Sequence, residues 1–380
     1  MGKKLLFIML LALALTACTD RSPGPTVLPT ATAVPRITRA AAIPADTAVP
    51  LTNTPEPSTG EVVATATAVV EEPTAEVTAI APLRSMSPYD GDEVWALAFS
   101  PDGTFLATGS TNGAAKVWDL STNQEILVVD GESGIADHVA FSPDMARLAV
   151  SYEQGVVKVW DLVTGEELLS IPGGEWATSV EYSPDGTILA VGYYPSDAKL
   201  YDAETGEELR TLDGHASVVD DLHFSPDGER LLTASGDGSV RIWAVATGAE
   251  LLSLKGPGQH LFSAAFSPNA TIVAAAGRNN GVVAWPVLPE AIAVELLDVN
   301  SGGGEIYDLE FSPDGKYVAT TGADGKVLLW DFQAGQILIT FSGHPGGGTN
   351  VAFSPDGHTL VSAGFNGMVN FWDLGSAIDD

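Results

Sequence analysis

Phe224-Ser225-Pro226-Asp227-Gly228-Glu229-Arg230-Leu231-Leu232-Thr233-Ala234-Ser235-Gly236-Asp237-Gly238-Ser239-Val240-Arg241-Ile242-Trp243 decides the fold. Two short runs rich in branched and apolar residues, Arg230 to Ser235 and Ser239 to Trp243, flank an Asp-Gly turn, the signature of two antiparallel strands. Ser-Pro-Asp-Gly supplies a tight turn before them, and Thr247-Gly248 supplies another behind them. Each such unit predicts four strands.

The unit recurs. Its opening aromatic stands at Phe99, Phe141, Tyr182, Phe224, Phe266, Phe311 and Phe353, at spacings of 42, 41, 42, 42, 45 and 42 residues. A second aromatic follows 19 residues after each one: Trp118, Trp160, Tyr201, Trp243, Trp285, Trp330 and Trp372. A fixed internal spacing repeated seven times, at a period near 42, describes an array of one supersecondary unit whose copies bury their apolar faces against each other.

These residues resemble the Trp-Asp (WD40) repeats of β-propellers, and the resemblance covers residues 77 to 380. The dipeptide itself is present at Trp118-Asp119, Trp160-Asp161, Trp330-Asp331 and Trp372-Asp373, and is altered to Tyr201-Asp202, Trp243-Ala244 and Trp285-Pro286. The family's Gly-His pair survives at Gly214-His215 and Gly343-His344. The resemblance implies an all-β, seven-bladed propeller. It also implies a hydrogen-bonded structural tetrad of His215, Thr233, Asp237 and Trp243 in the fourth unit, with His344, Ser362, Asn366 and Trp372 as the counterpart in the seventh. The chain stops soon after Trp372-Asp373, so the seventh unit lacks its outer strand. The segment from Val77 to Ser85, upstream of the first unit, is placed to supply it and close the ring.

Two segments precede the repeats. Residues 1 to 17 read as a signal peptide, with Lys3 and Lys4 followed by an apolar run from Leu5 to Leu15. Eleven residues rise only about 16 Å as a helix, roughly half a bilayer's hydrocarbon core, so the run is too short to be a spanning anchor. Leu15-Thr16-Ala17-Cys18 resembles the lipobox of bacterial lipoproteins, which implies lipidation of Cys18 and a mature chain that starts there. Several acyl chains, at about 0.8 kcal/mol per buried CH₂, would hold such a protein stably at a membrane. Residues 18 to 76 form a Pro, Thr and Ala-rich linker without an aromatic residue, expected to stay disordered and extended because nothing in it offsets the entropy of ordering.

Composition narrows the function classes. The net charge of −32 argues against nucleic acid, whose affinity comes largely from Lys and Arg displacing counterions. Cys18 is the single cysteine, which excludes disulfides and thiolate chemistry from the repeats. The six histidines are scattered over four repeats, and no His-Glu-x-x-His, Gly-x-Ser-x-Gly or phosphate-loop motif is present. Asp-Gly pairs suit turns better than calcium. No cofactor or metal is expected.

Counting back from each opening aromatic, positions two and five residues earlier are apolar or small, as in Leu97 and Val94 or Leu309 and Ile306, and face the core. Positions four and six residues earlier should point away from it. By the resemblance they line the rim around the central channel: Trp95, Asp137, Asp220, Phe262 and Tyr307, with Glu93, Trp176, His260 and Glu305. Aromatics for contact area and carboxylates for sign favour a cationic or amphipathic partner. The expectation is therefore a monomeric, non-catalytic binding protein or scaffold outside the cytoplasm, held to a membrane by its lipid, with a protein, peptide or glycan partner in the cell envelope. The alternatives are an envelope-assembly lipoprotein and a propeller enzyme, a hydrolase or lyase with its site in the channel.

Overall fold

The computed structural model describes residues 80–375, apart from 132–133, 257–259, 279–280, 288–296 and 301–303. The signal peptide, the lipidation site Cys18 and the linker fall outside the described residues, as do residues 77–79 of the expected closing segment.

Among the described residues, twenty-eight strands form seven four-stranded antiparallel sheets. In the first six, the strands run in sequence order from the innermost, such as Val94–Phe99, to the outermost, such as Gln124–Asp130. The seventh borrows its outermost strand from the beginning of the chain. Arg84–Met86 pairs with Val369–Asp373 in the register Arg84 to Phe371, Ser85 to Asn370 and Met86 to Val369. Ser85 Oγ donates to Asn370 Oδ1 at 2.6 Å, and the Arg84 guanidinium lies 3.7 Å from the Phe371 ring centre. The closing strand thus lies at the downstream end of the expected segment.

Each turn is held by its own sequence. In Ser-Pro-Asp-Gly, Ser225 Oγ donates to Asp227 Oδ1 at 2.5 Å and accepts the Arg230 N–H at 3.0 Å, while Gly228 takes a φ of +69° that side chains disfavour. Two units depart from this pattern: Met145 and Ala270 occupy the same left-handed position at φ +58° and +53°.

The core is distributed between blades. Seven clusters of buried apolar side chains each draw on two consecutive blades; one joins Val159 and Ile171 to Val180 and Tyr193, and another joins Val94 and Leu106 of blade one to Val361 and Phe371 of blade seven. No blade buries its apolar faces alone, so the ring closes as a unit. The second aromatic of every repeat sits in these interfaces, with Trp243, Trp285, Trp330 and Trp372 no more than 2% exposed.

Candidate functional site at the channel mouth

All seven innermost strands carry a β-bulge at one and the same position, four residues before the opening aromatic: Trp95, Asp137, Thr178, Asp220, Phe262, Tyr307 and Thr349. An extra residue in one strand of a pair loses its ladder partner, and its side chain is re-aimed. Here the bulges turn seven side chains toward one mouth of the central channel. The resulting cavity encloses about 520 Å³ and is lined by seven of the nine rim residues expected from sequence, namely Trp95, Asp137, Trp176, Asp220, His260, Phe262 and Tyr307. Glu93 and Glu305, the other two, are not among the residues that line the cavity, and each contacts a neighbour at its edge. Glu93 Oε2 accepts the Trp95 indole N–H at 3.0 Å, and Glu305 pairs with Arg278 at 3.2 Å.

Two halves of the mouth differ in chemistry. Across blades five, six, seven and one, ring contacts run without a break from His260 to Phe262 (4.4 Å between centres), Tyr307 (5.4 Å), Phe365 (5.9 Å) and Trp95 (5.6 Å). Offset and edge-on contacts of this kind hold the rings in place. Across blades two to four lie Asp137, Asp220 and Asp221, with the Trp176 ring among them, and Asp308 joins the wall from blade six. Asp137 Oδ2 accepts the Trp176 indole N–H at 2.6 Å, and Asp220 Oδ2 contacts His260 Nε2 at 2.9 Å. Burial pushes the Asp137 carboxyl up to about 7, against the pull of the Trp176 hydrogen bond. Burial raises Asp220 too, with His260 opposing it.

Sequence reasoning missed Phe365, which reaches the cavity from the turn between the second and third strands of blade seven, and Tyr194, which reaches it from the last position of the second strand of blade three. The available signal was a large ring in a tight turn, Gly364-Phe365-Asn366-Gly367, where other units carry Thr111, Glu153, Gly236 or Ala323. It also missed the columns one and three residues before each opening aromatic, which line the channel beneath the mouth with His138, Glu181, Asp221, His223, Asp308 and Glu310. Most of these side chains staple one blade to the next through backbone N–H groups. Glu181 Oε2 accepts from Phe224 (2.7 Å), Asp221 Oδ2 from Ala264 (3.1 Å), Asp308 Oδ2 from Val351 (2.8 Å) and Glu310 Oε2 from Phe353 (2.6 Å). Burial in the channel raises Asp308 to about 7 and Glu310 to about 8, and raises Glu181 as well. These four carboxyls thus tie neighbouring blades together along the channel. Among the described residues, no group of three or more His, Cys, Asp or Glu could hold a metal ion.

The tetrad residues meet in blade four. Thr233 Oγ1 accepts the Trp243 indole N–H at 2.8 Å and contacts His215 Nε2 at 2.7 Å, while His215 Nδ1 lies 3.1 Å from Asp237 Oδ2. Burial alone would raise Asp237, but hydrogen bonds from Ser239, the Ala216 N–H and His215 hold it well below the usual carboxylate range. In blade seven, His344 contacts Ser362 Oγ at 2.7 Å and Asn366 Oδ1 at 3.2 Å, and Trp372 donates to Ser362 at 2.9 Å. Blades without the histidine fill its space differently. Tyr89 bonds Thr108 in blade one at 2.9 Å, and Tyr193 bonds Tyr201 in blade three at 3.1 Å.

A closed ring of seven four-stranded blades, with an aromatic and acidic mouth to its channel, defines a β-propeller. The repeats of its first two blades match the family model described as WD domain, G-beta repeat, over residues 80–119 and 124–161. Residues 176–377 match that of IFT122 first beta-propeller. The chain belongs to the WD40 β-propeller family, whose members commonly mediate protein interactions. No curated protein matches it.

Proposed function

We propose that the protein is a non-catalytic, extracytoplasmic binding protein, tethered to a membrane through lipid on Cys18, that holds a protein or peptide partner at the channel mouth. The observation that carries the reading is the row of rings from Trp95 to His260. Five rings contact each other at a solvent-facing cavity, outside the seven inter-blade cores, and such half-exposed aromatic anchors dominate recognition surfaces. The membrane part rests on the Leu15-Thr16-Ala17-Cys18 pattern, and no helix among the described residues is long and apolar enough to cross a membrane.

Two measurements test this. Affinity capture from envelope extracts compares the wild type with the combined Trp95→Ala, Trp176→Ala and Phe262→Ala variant. Loss of a protein partner supports the reading, and retention of every partner, or capture of glycan alone, overturns it. Replacing Cys18 with Ser should abolish fatty-acid labelling and release the protein from the membrane fraction; unchanged labelling refutes the tether.

A further inference from the structure

Within that reading of the mouth, its two-sided chemistry specifies the occupant. We propose that the cavity receives a lysine side chain of the partner protein, its aliphatic stem against the aromatic arc and its ammonium at Asp137 and Asp220. Four observations support this.

The first is charge. The cavity wall holds four aspartates, Asp137, Asp220, Asp221 and Asp308, and neither lysine nor arginine. The turns around it continue the sign, with Asp90, Asp92, Glu153 and Glu175 exposed and Glu93 partly so. A field of one sign focused into a concave site steers a partner of opposite sign.

The second is the state of the two carboxylates. Asp137 and Asp220 have each given Oδ2 to a neighbour, Trp176 and His260, and among the described residues neither Oδ1 has a protein partner. Each thus presents one open carboxylate oxygen, its plane fixed by the contact at the other, at the edge of an apolar wall.

The third separates lysine from arginine. A guanidinium gains its advantage by engaging both oxygens of one carboxylate with a planar fork. Trp176 and His260 already engage Oδ2 of Asp137 and Asp220, so a fork would have to share that oxygen with them, whereas an ammonium, a compact point charge with three rotatable donors, needs only the open Oδ1 of each. The fourth is the match between the rings and a lysine stem, since the aromatic arc offers the (CH₂)₄ chain apolar surface while the cationic end gains from ring faces. A cation already sits this way at the edge of the site, where the Arg278 guanidinium lies 5.8 Å from the Phe262 ring centre, tied by Glu305.

The test uses the full chain and three peptides, Gly-Ser-Xaa-Ser-Gly, with Xaa as lysine, arginine or norleucine, together with free n-butylammonium. Binding is read by calorimetry and by the fluorescence of the mouth tryptophans. The lysine peptide should bind at least about tenfold more tightly than the norleucine peptide, and more tightly than both the arginine peptide and n-butylammonium. Asp220→Asn and Asp137→Asn should each weaken the lysine peptide about tenfold and leave the norleucine peptide unchanged, which also shows that the variants are folded. Equal binding of lysine and norleucine, arginine matching lysine, butylammonium matching the peptide, or no binding at all overturns the proposal. If the partner is still lost from the triple aromatic variant in the capture experiment, such a failure removes the lysine and leaves the binding surface. If capture is unaffected by the triple variant, the binding surface itself is refuted.

Discussion

Thr233→Val exchanges a hydroxyl for a methyl of nearly the same shape at a position with no exposed surface. It strips two buried groups of their partner at once: the Trp243 indole N–H, which Thr233 Oγ1 accepts at 2.8 Å, and His215 Nε2, which lies 2.7 Å from the same hydroxyl. Each buried polar group left without a partner costs about 1–3 kcal/mol, and the added methyl returns a fraction of that, so the net loss should be about 2–4 kcal/mol. At roughly 2 °C per kcal/mol for a domain of this size, Tm should fall by about 4–8 °C. The equivalent Thr320 of blade six accepts from Trp330 alone, at 3.0 Å, so Thr320→Val should cost about half as much. Urea unfolding followed by tryptophan fluorescence, with calorimetry alongside, measures both. An equal or reversed order would refute the assignment of the extra stability to the His215 contact, and a loss below about 0.5 kcal/mol in Thr233→Val would refute the whole argument.

Three further substitutions have signs set by the structure. Val150 stands where Thr233 stands in blade four, and it leaves the Trp160 indole N–H buried without a partner; Val150→Thr should therefore stabilise by about 0.5–1 kcal/mol in the same assay, and a loss would show that the indole is already satisfied. Met145→Gly relieves a left-handed residue at φ +58° and should raise stability by roughly 0.5–1 kcal/mol, offset in part because the half-buried methionine side chain no longer covers apolar surface; a lowered urea midpoint would contradict this. Glu310, at about 8, holds its proton in the folded chain where an unfolded glutamate has lost it. Its contribution is therefore fully present below about pH 4 and declines as pH rises toward 8. Glu310→Gln keeps the acceptor for Phe353 and should flatten that decline, so the variant gains on the wild type at pH 9 relative to pH 5; parallel pH profiles would count against the buried, protonated carboxyl.

Blade number was legible because the aromatic pairs 19 residues apart never slip, and the two core columns were legible because their apolar content is nearly uniform. Val94, Leu97, Leu309 and Ile306 are all buried. The rim columns were read from the resemblance to WD40 repeats, together with polar or aromatic side chains in columns that the core does not use. What period-two reasoning misses is the effect of a bulge. The extra residue at Asp137 or Tyr307 shifts the pleat, so the residue after it faces the channel. His138, Asp221 and Asp308 therefore line a channel that strand alternation alone does not locate. The replacement of a tetrad histidine by Tyr89 or Tyr193 was equally hidden, because each ring reaches the shared space from a different place in the repeat. The seventh outer strand was placed correctly upstream of the first repeat, but its pairing at Arg84–Met86 is set by the edge of Val369–Asp373.

Photocrosslinking in native membranes tests the binding surface most directly. A photoreactive phenylalanine analogue at Phe365, in the aromatic arc, should give a discrete adduct with a partner protein, while the same probe at Ile126 on an outermost strand, 49% exposed, should give none. Adducts from Ile126 and none from Phe365 would contradict the account and move recognition to the outer edge of the propeller.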